Sequence, residues 1–210
     1  MKLNNNTYNI ESFDYEAHQI YLCDDIDDKM VKDLTKKLND IVMDDRITIK
    51  RNIDILNETM LFVDKQKFEF NLPPINIYLT SFGGWCYAGI GLYDHICEIG
   101  KEYDTQIICS GYVMSMGTII LQAANKRIAR KNTTFMVHDM ADYMGYKKLA
   151  DIKDKVEEDE RLGKVIDDIL ISKTKFTKDK LDKIYKEKKD FYFDAEKALE
   201  YGIIGQLPTS

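Results

Sequence analysis

The chain has 210 residues, 44% of them hydrophobic, with 36 acidic residues against 30 basic ones and a net charge of -6. That length fits one domain with at most an elaboration, the apolar fraction supports a real core, and the acidic balance without a basic stripe excludes a nucleic-acid surface. The N-terminus MKLNNNTYNIES lacks the apolar core of a secretory signal, and no apolar run approaches the roughly 18 residues that cross a bilayer.

Residues 1–18 are polar and read as an N-terminal arm, and residues 19–210 as a single domain. QIYLCD at 19–24 predicts a strand. Asp27 or Asp28 then caps a helix to about residue 44, with Met30, Val31, Leu34, Leu38, Ile41 and Val42 on one side. Residues 45–72 mix alternation near Ile47–Ile49 with an apolar patch at Met60–Val63, and read as an elaboration, either a strand and a short helix or a hairpin. INIYL at 75–79 predicts a buried strand running into Ser81-Phe82-Gly83-Gly84, followed by a helix from about 86 to 98 that stops at Gly100. The glycine pair lets backbone approach a ligand closely, but neither a G-x-x-x-x-G-K loop nor G-x-G-x-x-G spacing is present.

The strand-then-helix unit repeats at 104–110 and 115–125, and short strands follow at 126–130 and 134–137, the last ending on His138. Such alternation predicts an α/β sheet with right-handed crossovers and ligands at the carboxyl ends of its strands. The longest helix, at 146–175, carries an interrupted apolar stripe and the charged run from Lys155 to Arg161, which suggests a helix projecting against a neighbour. Thr177 caps the next helix, DFYF at 190–193 is extended, and Asp194 caps a last helix stopped by Gly202.

Ser115 stands on a strand-to-helix turn between Gly111 and Gly117, where a hydroxyl can project and the next N–H groups face it. A serine there also serves as an ordinary helix cap. Of three histidines, His18 lies in the arm, His95 lies within a helix, and His138 alone ends a strand as Ser115 does. Asp190 precedes an aromatic run, where a carboxylate can be desolvated and can orient an imidazole, although a turn aspartate would look the same. No histidine pair or Cys/His cluster has metal-site spacing. Cys23, Cys86, Cys97 and Cys109 form no CxxC pair, as expected of reduced thiols in a cytoplasmic protein.

Ser115 in YVMSMGTIILQAA, His138 in TTFMVHDM and Asp190 in KKDFYFDAEKALEYGIIGQL, in that order, resemble the proteolytic subunits of the Clp protease family, as does INIYLTSFGG followed by AGIGLYDHI. The resemblance implies a crotonase-like α/β fold built from repeated β-β-α units, with 146–175 as a projecting handle helix. It implies an ATP-dependent serine endopeptidase acting on unfolded polypeptides, with Ser115 as nucleophile, His138 as base and acid, Asp190 as orienting carboxylate, and the backbone N–H groups of Gly83 and Met116 as oxyanion hole. It further implies a homo-oligomer (a heptamer, or two stacked as a tetradecamer) fed by an AAA+ unfoldase that consumes the ATP, with no metal or organic cofactor on this chain. Membrane and nucleic acid are not among the expected partners.

The chain departs from that family at Phe82, where proline is usual, and at Asp139-Met140, where Gln-Pro is usual. ADYMGYKK replaces the glycine-rich strand that lines the family's substrate groove, and 45–72 looks like an insertion where the family has a short connection, so the chain resembles a divergent member. Other readings are a non-proteolytic scaffold subunit, a crotonase-type acyl-CoA enzyme and a viral prohead-type protease.

Overall fold

The computed structural model describes residues 8–9, 18–59, 68–69, 72–141, 148–187 and 190–207. Two short strands, β1 (Tyr8–Asn9) and β3 (Phe68–Glu69), pair in parallel. They join the expected arm to the end of the expected insertion. Between them lie β2 (His18–Leu22) and α1 (Asp28–Thr59), whose start is capped by Asp27 Oδ1 accepting from Met30 N–H at 2.7 Å.

α1 runs past the expected end near residue 44 and takes in the first part of 45–72. The β-branched Ile47-Thr48-Ile49 suggested a strand, yet Asp45, Ile49, Asn52 and Ile53 turn inward at helical spacing. Asp45 is only 6% exposed. It accepts from Tyr103 Oη at 3.1 Å and lies 3.0 Å from His18 Nε2, contacts that fix the helix to the body of the domain. The Met60–Val63 patch lies outside the described residues.

The main sheet takes its strands in the order His18–Leu22, Ile75–Ser81, Thr105–Met114, Thr134–Val137 and Phe191–Asp194, with Lys126–Ala129 also paired to the third of these. β4 (Ile75–Ser81) leads into α2 (Cys86–Ile99), and β5 (Thr105–Met114) leads into α3 (Met116–Leu121). β6 (Lys126–Ala129) and β7 (Thr134–Val137) follow. All these pairings are parallel, as expected of strands separated by helices. Then come α4 (Leu149–Lys173), α5 (Lys178–Lys186), β8 (Phe191–Asp194) and α6 (Ala195–Glu200), with β8 antiparallel to β7. Thr177 and Asp194 cap α5 and α6 as expected. α4 covers most of the expected handle, whose first residues, 146–147, lie outside the described residues.

β5 is longer than its apolar run predicts. Its first half pairs with β6 and its second half with β7, on the same side and opposite β4. Gly111, at φ +65°, carries the strand through an irregularity between the halves, and Thr80 Oγ1 donates to the displaced Ser110 carbonyl at 2.8 Å. Burial alternates along β4 and β5, so the core lies on one face of the sheet. Ile77, Leu79, Ile107, Cys109 and Val113 are fully buried against Leu92, Ile96 and Ile120, each worth roughly 1.5–3 kcal/mol for the larger aliphatic side chains. Among the described residues no helix is long and apolar enough to cross a membrane.

Tyr103 and Tyr185 donate to the buried carboxylates of Asp45 and Asp167, the latter at 2.7 Å. Burial first, and then these carboxylates, push both phenols well above the usual value of 10.0. The fold favours the neutral phenol, so this stability is complete below about pH 10 and is lost as the pH climbs further. Tyr185→Phe should cost about 1 kcal/mol at pH 7 by depriving Asp167 of a donor. In urea unfolding the gap to wild type should narrow between pH 7 and pH 11; a constant gap would show that the phenol does not ionise with unfolding.

Candidate active site

The carboxyl ends of β4, β5 and β7 lie side by side, and each delivers one part of the site. Ser115 directly follows β5 with φ 50° and ψ -124°, the one non-glycine residue of positive φ among the described residues. A conformation of this kind costs roughly 1–3 kcal/mol and persists only where its surroundings impose it. Here its N–H donates to Met136 O at 2.9 Å, extending the β5–β7 pairing by one step, and its carbonyl accepts from Thr118 N–H at 2.9 Å and Thr118 Oγ1 at 2.6 Å. The turn aims the side chain away from the sheet, and Ser115 Oγ lies 2.8 Å from His138 Nε2. Both residues are half-buried. His138 directly follows Val137, buried at the end of β7.

The glycine loop after β4 closes over this turn. Gly83 sits at φ +105°, and a Cβ built on it would stand 2.6 Å from Ser115 Cβ and 3.0 Å from Met114 O. Gly83 was expected to supply an oxyanion donor, but its N–H donates to Ser81 Oγ at 3.1 Å. Its neighbour Gly84 lines the cavity beside Ser115. Among the described residues no acceptor takes the Gly84 N–H or that of Met116. The doublet in the sequence announces a close approach of backbone, but which amide stays open depends on a bridge to Ile26 that no local signal reveals.

Asp190 is brought to the site's edge and not into contact. Val137 pairs with Phe191 across β7 and β8, so one further step of that antiparallel register sets Asp190 opposite His138. Its side chain is exposed, and Tyr192 Oη stands 3.5 Å from its Oδ2. Among the described residues no hydrogen bond joins Asp190 to His138. Asp139, beside the histidine, accepts from Met140 N–H at 2.8 Å. His18 and His95 lie away from the site, on β2 and within α2; burial pushes the His95 imidazole down from its usual pKa.

A cavity of about 790 Å³ opens from Ser115 and His138 and runs under α4. Cys86, Met116, Ile119 and Met140 line one side, and Ile166 and Leu170 of α4 line the other, with Asp167 and Tyr185 at its boundary. α4 is tied to α2 above the cavity by Tyr87, whose hydroxyl donates to Glu158, itself bound by Arg161 at 2.7 Å. These two donors hold the Glu158 carboxyl down to about 2. A serine hydroxyl at hydrogen-bonding distance from an imidazole, beside open backbone N–H groups and a partly apolar cavity, suits acyl transfer.

Residues 31–210 match the sequence profile described as Clp protease. An ATP-dependent Clp protease proteolytic subunit of Deinococcus radiodurans is 32% identical over 151 residues, covering 70% of each chain. Similar relatives are the ATP-dependent Clp protease proteolytic subunit 2 of Prochlorococcus marinus, 30% identical over 71% of each chain, and the proteolytic subunit of Dehalococcoides mccartyi, 31% identical over 70% of this chain and 71% of its own.

Gly83→Ala tests the close approach. The added methyl meets Ser115 Cβ and two backbone atoms at a φ that alanine resists, so the variant should lose roughly 1–3 kcal/mol of stability. It should also lose labelling by a fluorophosphonate. A melt and labelling equal to wild type would mean that the loop does not press on the Ser115 turn.

Proposed function

The chain belongs to the Clp protease family, and from that membership we propose that it is a serine endopeptidase cleaving unfolded polypeptides by acyl transfer at Ser115. The observation that carries this reading is the 2.8 Å contact between Ser115 Oγ and His138 Nε2. His138 takes the hydroxyl proton as Oγ attacks the scissile carbonyl. The C–N bond breaks as the same proton passes to the leaving amine, and a water, activated in turn by His138, releases the acyl group. Negative charge on the tetrahedral oxygen falls to the N–H groups of Met116 and Gly84. Gly84 replaces Gly83 in that role because the Gly83 amide is already engaged by Ser81.

Asp190 is the proposed orienting carboxylate. Its support is the strand register that sets it opposite His138, from which a rotation of its side chain would bring it toward the imidazole. The apolar part of the cavity lining, with Met116, Ile119, Ile166 and Leu170, suits an aliphatic or aromatic side chain next to the scissile bond, and Asp159, Glu160, Lys164 and Asp168 make the rest of it charged. That chemistry calls for no metal or organic cofactor.

Assembly is part of the proposal: a heptameric ring, alone or stacked in pairs, enclosing the sites and fed by an AAA+ unfoldase. Exposed apolar residues on α1 (Met43, Ile47 and Ile55) and on α4 (Val156) support burial against other copies of the chain.

Ser115→Ala should remove nearly all peptidase turnover and all fluorophosphonate labelling while leaving the melting temperature close to wild type. Undiminished turnover would exclude this serine. Asp190→Asn should lower turnover strongly, toward the roughly 10⁴-fold seen when a serine protease loses its orienting carboxylate, and the two changes together should be far from additive. Full activity of Asp190→Asn would leave a Ser–His dyad. Light scattering should give a mass near seven or fourteen times 24.5 kDa; a monomer at every concentration would overturn the ring.

A further inference from the structure

We propose that Ser81 is a positioning residue for oxyanion stabilisation: its buried hydroxyl holds the glycine loop so that the Gly84 N–H stays aimed at the cavity above Ser115. The inference rests on the reading of Ser115 as nucleophile.

Ser81 ends β4 and is 1% exposed. The register between β4 and β5 slips just before it, with Leu79 opposite Cys109 and Ser81 opposite Val113. Two steps along β4 therefore match four along β5, and the slip carries Ser81 to the foot of the Ser115 turn. It touches both arms of the oxyanion site there. A Cβ built on Gly117 would lie 3.5 Å from Ser81 O and 3.6 Å from Ser81 Cβ, so the start of α3, with the Met116 amide, packs directly on Ser81. On its other side, the hydroxyl accepts the Gly83 N–H at 3.1 Å.

The loop needs that restraint because of its composition. Gly83 and Gly84 have φ of +105° and +151°, and neither has a side chain to limit its rotation. Hydrogen bonds set the loop's shape instead. Ile26 supplies two: its N–H donates to Gly83 O at 2.8 Å, and its carbonyl accepts from Trp85 N–H at 2.8 Å. Both lie on the side facing Ile26, and the N–H of Gly84 points the other way, as alternation along an extended segment requires.

The peptide between Phe82 and Gly83 is held by neither Ile26 bond. Ser81 Oγ holds it, through the local turn in which a serine hydroxyl accepts from the amide two residues on. Without the hydroxyl the Gly83 N–H is buried and unpaired. Rotating the peptide to satisfy it alters the Gly83 dihedrals and swings the Gly84 N–H with them.

The test uses the full-length chain and a fluorogenic peptide that it cleaves. Ser81→Ala removes the acceptor and little volume. Its kcat should fall about 10- to 100-fold, somewhat less than the loss of a whole oxyanion donor, with KM unchanged. A dipeptide boronate, whose boron bonds Ser115 Oγ and whose hydroxyl takes the oxyanion position, should bind more weakly by a similar factor. Ser81→Cys, similar in shape and a poor acceptor, should behave like Ser81→Ala and gives the reading if the alanine variant does not fold. An unchanged kcat, or kcat and KM shifting together with boronate affinity intact, overturns the positioning role while Ser115 remains the nucleophile. If the wild-type chain neither cleaves peptides nor binds the boronate, the reading of Ser115 falls and this one falls with it.

Discussion

The pairing of β5 with β7 is the contact on which the site depends. Only three residue pairs make it, from Tyr112 with Thr134 to Met114 with Met136, and the Ser115 N–H continues it onto Met136 O. That last bond holds the serine in a backbone conformation it would not adopt alone and sets its hydroxyl beside the residue that follows β7, His138. β5 can reach β7 only because it continues beyond its partnership with β6. Arg130 N–H and Thr133 Oγ1 both donate to Cys109 O, at 2.9 and 3.2 Å, binding the loop between β6 and β7 to β5 where one partner gives way to the other. A strained serine is thus held by an ordinary parallel ladder.

Close backbone packing supplies the second constraint. Gly83 touches the Ser115 turn from one side and Gly117 packs on Ser81 from below, at distances that leave little room for a side chain at Gly83. Glycine in these places costs conformational entropy in the folded chain. The surrounding bonds to Ile26 and to Ser81 offset that cost by giving the loop one shape. Close packing and hydrogen bonding therefore act on the same few residues, and the amides of Gly84 and Met116 are left without an acceptor among the described residues.

Much of this was legible in the chain. Apolar runs punctuated by Gly83-Gly84 and by His138 marked two strand ends, and the alternation of strands and helices put them on one side of a sheet; Ser110-Gly111, read as a third end, is a break inside β5. Ser115 and His138 could be paired because each follows such a run. The unread parts depend on contacts distant in sequence. α1 continues through β-branched residues because Asp45 meets His18, 27 residues away, and Tyr103, 58 residues away. β5 crosses Gly111 because Thr80 and β7 compensate for the break. Gly84 could not be told from Gly83 without Ile26, and the outward turn of Asp190 has no local signature.

β8 reaches the site by a different route. It joins β7 through four residue pairs at the edge of the sheet, and its firmer attachment is Phe193, stacked on Phe135 with ring centroids 5.7 Å apart and set edge-on to Tyr201. Phe176 packs on both Phe193 and Tyr201, and Lys180 Nζ sits 3.3 Å above the Tyr201 ring. The serine–histidine pair and the carboxylate opposite it therefore belong to different cooperative units, one secured by the parallel ladder and the other by an aromatic cluster shared with α5 and the chain after α6. A local opening of that cluster would release Asp190 at a free-energy cost below that of unfolding the ladder, and amide exchange along β8 would then run ahead of exchange along β5.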